Sequence, residues 1–227
     1  MKQTMLRLAL LFCVLTPLGV LHAEEGPTLK KVNISLDQTT LRKGLNVFTD
    51  VCMGCHSLRY MTWRDLMRYP EIGLSRQDVD DLRGDAPLTA RMLTELSAKD
   101  AMDSYGIVPP DLSLIARARK GHGAYIYSIL TGFEHDPKGR VPDGNYNVYF
   151  PGHRIAMSDP LGWLDHDSED EADLKAQAQD VASFLTFVGE PHQVERLAIG
   201  KWVMIFLVLM TFVLWLLKRA VWQDVEH

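Results

Sequence analysis

Residues 40–56 read TLRKGLNVFTDVCMGCH, and this stretch decides how the rest of the chain is interpreted. Inward-facing positions recur in it at the spacing of one helix face, namely Leu41, Leu45, Phe48, Cys52 and Cys55. The pattern predicts a helix that begins near Thr40, runs directly into the cysteines and turns both of them toward the interior. The chemistry of the cysteine pair therefore belongs to the core of the domain.

The end of this stretch is a Cys-x-x-Cys-His motif, formed by Cys52, Cys55 and His56. Two thiols at this spacing can each form a thioether with one vinyl group of the same porphyrin, and the adjacent histidine can bind its iron. A zinc half-site or a redox disulfide would share the Cys-x-x-Cys part, but zinc needs a second ligand pair and the remaining histidines do not form one. The motif predicts one covalently attached haem c with His56 as the iron ligand. A carbonyl of Pro109 or Pro110 is expected to accept the other imidazole proton.

The first 23 residues have the organisation of a secretory signal peptide. Lys2 and Arg7 precede an apolar run over residues 8–21, and Ala23 is the expected cleavage position. An uncleaved membrane anchor is the alternative, but the run is short for a span and contains Pro17. Cleavage also removes Cys13, so that the mature chain has no disulfide framework.

Residues 197–217 predict a single transmembrane helix, because Lys201 is the only charge among them. Twenty-one helical residues rise roughly 31 Å, which matches a hydrocarbon core of about 30 Å. A buried core helix is the alternative. Lys218 and Arg219 follow the span and predict a cytoplasmic tail over 218–227. The main domain, residues 24–192, would then lie on the periplasmic side of the bacterial inner membrane.

Between these ends, composition indicates a mainly α domain. A second amphipathic helix is predicted near its end, with an inner face of Leu174, Ala178, Val181, Leu185 and Val188. The middle is rich in proline and glycine, so we expect loops and short helices there and no sheet. The net charge is −5, or −7 without the leader, which argues against a nucleic-acid partner.

The sixth iron ligand decides whether the iron carries electrons or binds small molecules, as in a gas sensor or a peroxidase. Five methionines of the domain lie outside the motif: Met61, Met67, Met92, Met102 and Met157. Met157 ends the segment YFPGHRIAM (149–157), an aromatic loop shaped by proline and glycine that can hold a side chain over a ring. His153, in the same loop, is the competing ligand. Met61 and Met67, close after His56, are explained as core-filling residues, and Met92 and Met102 lie in helix-like stretches that need no ligand role.

Four blocks of sequence resemble the cytochrome c1 family, the haem-bearing subunits of quinol:cytochrome c oxidoreductase (cytochrome bc1) complexes. They are VCMGCHSLRY (51–60), PPDLS (109–113) with RAR (117–119), residues 125–132, and YFPG (149–152) through IAM (155–157). The resemblance implies a class I cytochrome c-like haem domain with long loop insertions and a C-terminal membrane helix. It implies Met157 as axial ligand, Arg119 at a haem propionate and Tyr125 near the haem. Gly44 also matches the cytochrome c pattern in which the last helix crosses closely, here at Phe184 or Leu185.

The resemblance further implies an electron relay that catalyses no bond-making chemistry by itself. It would accept electrons from a Rieske iron–sulfur protein, reduce a soluble or tethered cytochrome c, and sit against cytochrome b and membrane lipid in a dimeric complex. An independent membrane-anchored c-type cytochrome that delivers electrons to an oxidase is the alternative. The 101 positions between His56 and Met157 favour the complex subunit, because independent carriers usually have compact domains.

Overall fold

The computed structural model describes residues 27–136, 139, 141, 144–167 and 169–223. The predicted signal peptide (1–23) and the end of the predicted tail (224–227) lie outside the described residues. About half of the chain is helical. In chain order the elements are α1 (Gln38–Val47), a π-helical turn (Phe48–Cys52), β1 (Leu58–Thr62), α2 (Asp65–Arg68), α3 (Arg76–Arg83), β2 (Arg91–Met92), α4 (Ala98–Tyr105), α5 (Ile115–Ala118), α6 (Gly123–Leu130), β3 (Asn145–Tyr146), β4 (Arg154–Ile155), α7 (Glu171–Gly189) and α8 (Gln193–Val221).

Helix α1 packs directly against α7, and Gly44 is the point of closest approach. A Cβ atom at Gly44 would lie 2.6 Å from the carbonyl carbon of Asp180 and 2.7 Å from Cβ of Phe184. Because real side chains do not tolerate such distances, only glycine lets the two helices cross here. The expected crossing at Gly44 is confirmed, with Phe184 as the contact.

The transition from α1 into the cysteine motif differs from the predicted continuous helix. The backbone widens into a π-helical turn, in which the N–H of Met53 donates to the carbonyl of Phe48 at 2.8 Å. A π turn shifts every following residue around the helix axis. Phe48, at the start of the turn, is fully buried, whereas Cys52 and Cys55 beyond it lie half-buried at the edge of the core. The prediction that both thiols face inward is right only in part.

Helix α7 supplies the other half of the main core. Four of its predicted inner residues, Ala178, Val181, Leu185 and Val188, are buried as expected. Phe184 joins them, and its ring centroid is 5.9 Å from that of Phe48. A smaller apolar cluster lies apart from this core and is called here the ligand-loop cluster. It consists of Ile129, Phe133 and Ile155, with Tyr125, Tyr149, Phe150, Met157, Trp163 and Leu164 packed against them.

The expectation of no sheet is wrong in detail, because the middle of the domain contains two short antiparallel pairs. Strand β1 pairs with β2, and β3 pairs with β4. The three shortest strands have two residues each, too few to produce an apolar alternation in the sequence. The pairs are nevertheless placed usefully, since β1 follows His56 and β4 precedes Met157.

Helix α8 is long and apolar enough to cross a membrane, and within the described chain none of its residues is buried. Its 29 residues extend about 43 Å, more than a hydrocarbon core of about 30 Å. It exceeds the predicted span of 197–217 at both ends. The alternative of a buried core helix is wrong. Glu190 links this helix to the domain, because its carboxylate lies 2.7 Å from Arg117 and 2.5 Å from Arg196.

Candidate functional site

Cys52 and Cys55 occupy the turn in which the π-helical segment ends. The N–H groups of Cys55 and His56 both donate to the carbonyl of Cys52, at 3.1 and 2.9 Å, so the motif is tightly coiled. Burial raises the pKa of the Cys52 thiol to about 12, and the nearby Cys55 adds to the shift. An environment that penalises a thiolate suits a neutral thioether. Within the described residues, no group of three or more His, Cys, Asp or Glu side chains is placed to hold a metal ion, so the zinc interpretation gains nothing.

The imidazole of His56 is fixed by the backbone of Pro110. Its Nδ1 lies 2.8 Å from the Pro110 carbonyl, which can only accept, so Nδ1 carries the proton. Burial lowers the pKa of His56, although this hydrogen bond and the charge of Asp111 oppose the shift. A neutral imidazole with its Nε2 lone pair available is the form that binds iron. The predicted pairing of His56 with the Pro109–Pro110 segment is therefore present.

Asp111 holds this proline segment in place, and sequence reasoning did not single it out. One carboxylate oxygen accepts from the N–H of Arg59 and the other from the N–H of Ser113, each at 2.9 Å. The hydroxyl of Ser113 in turn accepts from the N–H of Tyr60 at 3.1 Å. Asp followed by Ser two residues later is a signal for such a turn. The carboxylate thus connects the Pro110 carbonyl to the strand that follows His56.

Met157 lies in the ligand-loop cluster, directly after β4. Its carbonyl accepts from the side-chain amide of Asn145 at 3.1 Å, which ties the loop to β3. The competing ligand His153 is engaged elsewhere, with its ring stacked on Tyr146 at 5.4 Å and its Nδ1 3.3 Å from the carbonyl of Asn147. His153 also adopts φ 62°, a left-handed conformation that usually selects glycine. These contacts favour Met157 as the side chain free to bind iron.

Asn147 is a second residue that the sequence analysis missed. It is fully buried, and its amide donates to the carbonyl of Ile129 at 2.8 Å. Its side-chain oxygen accepts from the N–H of Tyr149 at 3.0 Å. The asparagine therefore joins the start of the Met157 loop to α6. No short sequence motif predicts this contact.

Arg119 and Tyr125 are brought together by the turn between α5 and α6. The guanidinium carbon of Arg119 is 5.9 Å from the centre of the Tyr125 ring, within the range of a cation–π contact. Tyr125 also belongs to the ligand-loop cluster with Met157. The predicted site residues thus form two groups, Cys52, Cys55, His56 and Pro110 in one and Arg119, Tyr125 and Met157 in the other.

The chemistry of these groups fits a covalently attached haem. The first group offers two thiols and an oriented imidazole, which would attach haem c and bind its iron. The second offers the thioether of Met157, which would also bind the iron, and an exposed guanidinium that suits a carboxylate.

Comparison with known proteins gives a consistent result. The model of the Cytochrome C1 family matches residues 28–225. Cytochrome c1 of Allochromatium vinosum is 33% identical and covers 95% of this chain and 97% of its own. A mitochondrial cytochrome c1 heme protein of Schizosaccharomyces pombe is 32% identical, covering 87% and 71% respectively. A mitochondrial cytochrome b-c1 complex catalytic subunit of Candida albicans is also 32% identical, covering 85% and 74%.

The extent of these matches agrees with the placement of the thiols, the imidazole and the long apolar helix α8. The family match begins within the segment that precedes α1 and ends beyond α8, so it includes both groups of site residues. We conclude that the chain belongs to the cytochrome c1 family, whose members carry covalently bound haem c.

Proposed function

We propose that this chain accepts single electrons from a Rieske iron–sulfur protein and passes them to a soluble or tethered cytochrome c. The family and its relatives support the coarser statement that it is an electron-transfer subunit of a cytochrome bc1 complex. The hydrogen bond from His56 to the Pro110 carbonyl carries the proposal. An imidazole fixed in this way would hold the iron with the same orientation in both oxidation states, as fast electron transfer requires.

The site residues have distinct roles in this proposal. Cys52 and Cys55 would hold the haem through two thioether links, while His56 and Met157 would bind its iron. When bound, the haem supplies a one-electron couple between ferric and ferrous iron, and histidine–methionine ligation raises its potential. Arg119 would neutralise a haem propionate, and the ring of Tyr125 would hold its guanidinium through the cation–π contact. Closed ligation of this kind argues against a gas sensor or a peroxidase.

The domain organisation follows from the same proposal. Residues 1–23 are a cleaved signal peptide, residues 24–192 are the periplasmic haem domain, and residues 218–227 are a cytoplasmic tail. The membrane span of 197–217 lies within α8, which holds the domain against cytochrome b in the bacterial inner membrane. Arg219 stacks over Trp215 at 5.0 Å, a pairing typical of a span that ends at a membrane surface.

Isolation of the intact complex tests the assignment. The full chain, tagged after His227, is purified from membranes in mild detergent. We expect a b-type cytochrome and a Rieske cluster to co-purify, and a quinol to reduce the c-type haem in the isolate. A matched preparation of the Cys55→Ser variant shows how much of the two partners is recovered when the normal haem attachment is lost. Isolation of the wild-type chain without either partner would instead support the independent membrane-anchored cytochrome.

A further inference from the structure

Lys30 lies in the extended segment before α1, where it contacts three distant parts of the chain. Its ammonium donates to the carbonyl of Thr131 at 2.6 Å and to the hydroxyl of the same residue at 3.0 Å. The ammonium also lies 4.9 Å from the centre of the Trp163 ring and 5.7 Å from that of Tyr149. Its backbone N–H donates to the hydroxyl of Ser128 at 2.9 Å.

These contacts enclose the Met157 loop. Tyr149 precedes Met157 by eight residues and Trp163 follows it by six. Both rings pack in the ligand-loop cluster, as does Met157 itself. Thr131 is the residue after α6, so a single ammonium connects both flanks of the loop to the end of a helix.

The Thr131 end of this connection is rigid. Thr131 is 1% exposed, and its hydroxyl donates to the carbonyl of Tyr127 at 2.9 Å, so its oxygen is oriented to accept from Lys30. The next residue, Gly132, is covered by Tyr149, because a Cβ there would lie 2.5 Å from the tyrosine ring. Burial and the charge of Lys175 lower the pKa of Lys30, and the carboxylates of Glu134 and Glu171 oppose this shift.

We propose that Lys30 is a positioning residue that keeps the Met157 loop closed over the haem iron. The inference rests on the proposed function, in which Met157 is the sixth ligand. A loop of this kind loses conformational freedom when it closes. The Lys30 contacts lower that entropic cost, because they join the two flanks of the loop before the side chain of Met157 binds iron. Without the Lys30 contacts, the fraction of molecules with an open sixth position rises. The apparent affinity for an added ligand rises in proportion to that fraction.

The experiment uses imidazole as the added ligand for the ferric full-length protein in its detergent-solubilised complex. Binding is followed by loss of the weak red absorption band that marks methionine bound to ferric iron. We expect Lys30→Met, which keeps the aliphatic stem, to bind imidazole about tenfold more tightly. Lys30→Arg should recover most of the wild-type value. The matched control is Lys31→Met, at the adjacent exposed position, which should leave the affinity unchanged.

A further control separates positioning from general loss of stability. Val181 is fully buried in the main core, away from the loop, and Val181→Ala lowers stability by cavity formation. If Val181→Ala tightened imidazole binding as much as Lys30→Met, the role of Lys30 would be merely structural and the proposal overturned. Lys30→Gln provides a milder variant for the same titration if Lys30→Met does not accumulate.

Two outcomes distinguish the inference from the function on which it rests. In the first outcome, the wild type shows the red band, Met157→Ala lacks it, and Lys30→Met binds imidazole with the wild-type affinity. Only the role of Lys30 is then refuted. If the band is missing, or survives Met157→Ala, the ligand assignment fails and the inference fails with it. Wild-type co-purification with its partners is independent of both results.

Discussion

At the scale of single residues, the environment of His56 is set by a carboxylate that does not touch the ring. Asp111 fixes the Pro110 carbonyl through two backbone hydrogen bonds and places a negative charge near the imidazole. A negative charge at this position stabilises the ferric state relative to the ferrous state. The residue therefore combines an orienting role with an electrostatic one.

Asp111→Asn tests both roles. We expect the reduction potential to rise, because a charge worth on the order of 1 kcal/mol, or roughly 40 mV for one electron, is removed. Asn retains one acceptor oxygen but cannot replace both carboxylate contacts. The matched control, Asp103→Asn, removes an exposed charge from α4, where solvent screens it. Redox titration of both variants provides the measurement, and equal potentials in the Asp111 and Asp103 variants would contradict the prediction.

At the scale of elements, the crossing of α1 and α7 holds the domain together. It buries Phe48 and Phe184 against one another and sets the position at which the π-helical turn begins. The cysteines follow that turn directly, so any displacement of α1 from α7 moves both thiols. The placement of the two thiols therefore depends on this contact between helices.

Gly44→Ala should therefore be costly despite adding a single methyl group. The methyl would meet backbone of Asp180, which cannot rotate away, and we expect a loss of about 1–3 kcal/mol in the free energy of unfolding. Gly200→Ala, in α8, is the matched control, because a Cβ there also meets no atom within 4 Å. Denaturant unfolding followed by circular dichroism measures both. A Gly44 variant as stable as the Gly200 variant would show that the helices can separate without cost.

At the scale of the whole molecule, the haem domain and α8 meet at few places. Glu190 pairs with Arg117 and Arg196 at the junction, and beyond it the apolar side chains of α8 are exposed along its length. A helix that makes so few contacts with its own domain is suited to anchoring that domain in a membrane.

Ending the chain after Gly200 should release a folded domain from the membrane. The truncation retains Arg196 and its pairing with Glu190, so we expect haem attachment to persist and stability to change by less than about 1 kcal/mol. Fractionation of cells expressing the full and the truncated chain checks the outcome. Truncated protein in the membrane fraction would point to an uncleaved anchor within residues 1–23.

Sequence alone predicts those features that arise from local spacing. Cys52 and His56 lie four positions apart in one motif, and the buried face of α7 repeats regularly, so both could be predicted. The π-helical turn leaves no such periodic signal, because its residues also fit an α-helix. Asp111 and Lys30 act on partners 52 and 101 residues away, and no local pattern records such contacts.

The pairing of α1 with α7 also imposes an order in time. At ~5–20 residues per second, α7 is synthesised on the order of ten seconds after α1, since roughly 140 residues separate the two sides of the crossing. A helix as short as α1 is barely stable alone during that interval. The two thiols at its end stay accessible while the helix is unpaired. The two thiols therefore take their final positions only after the last helix of the domain has docked against α1.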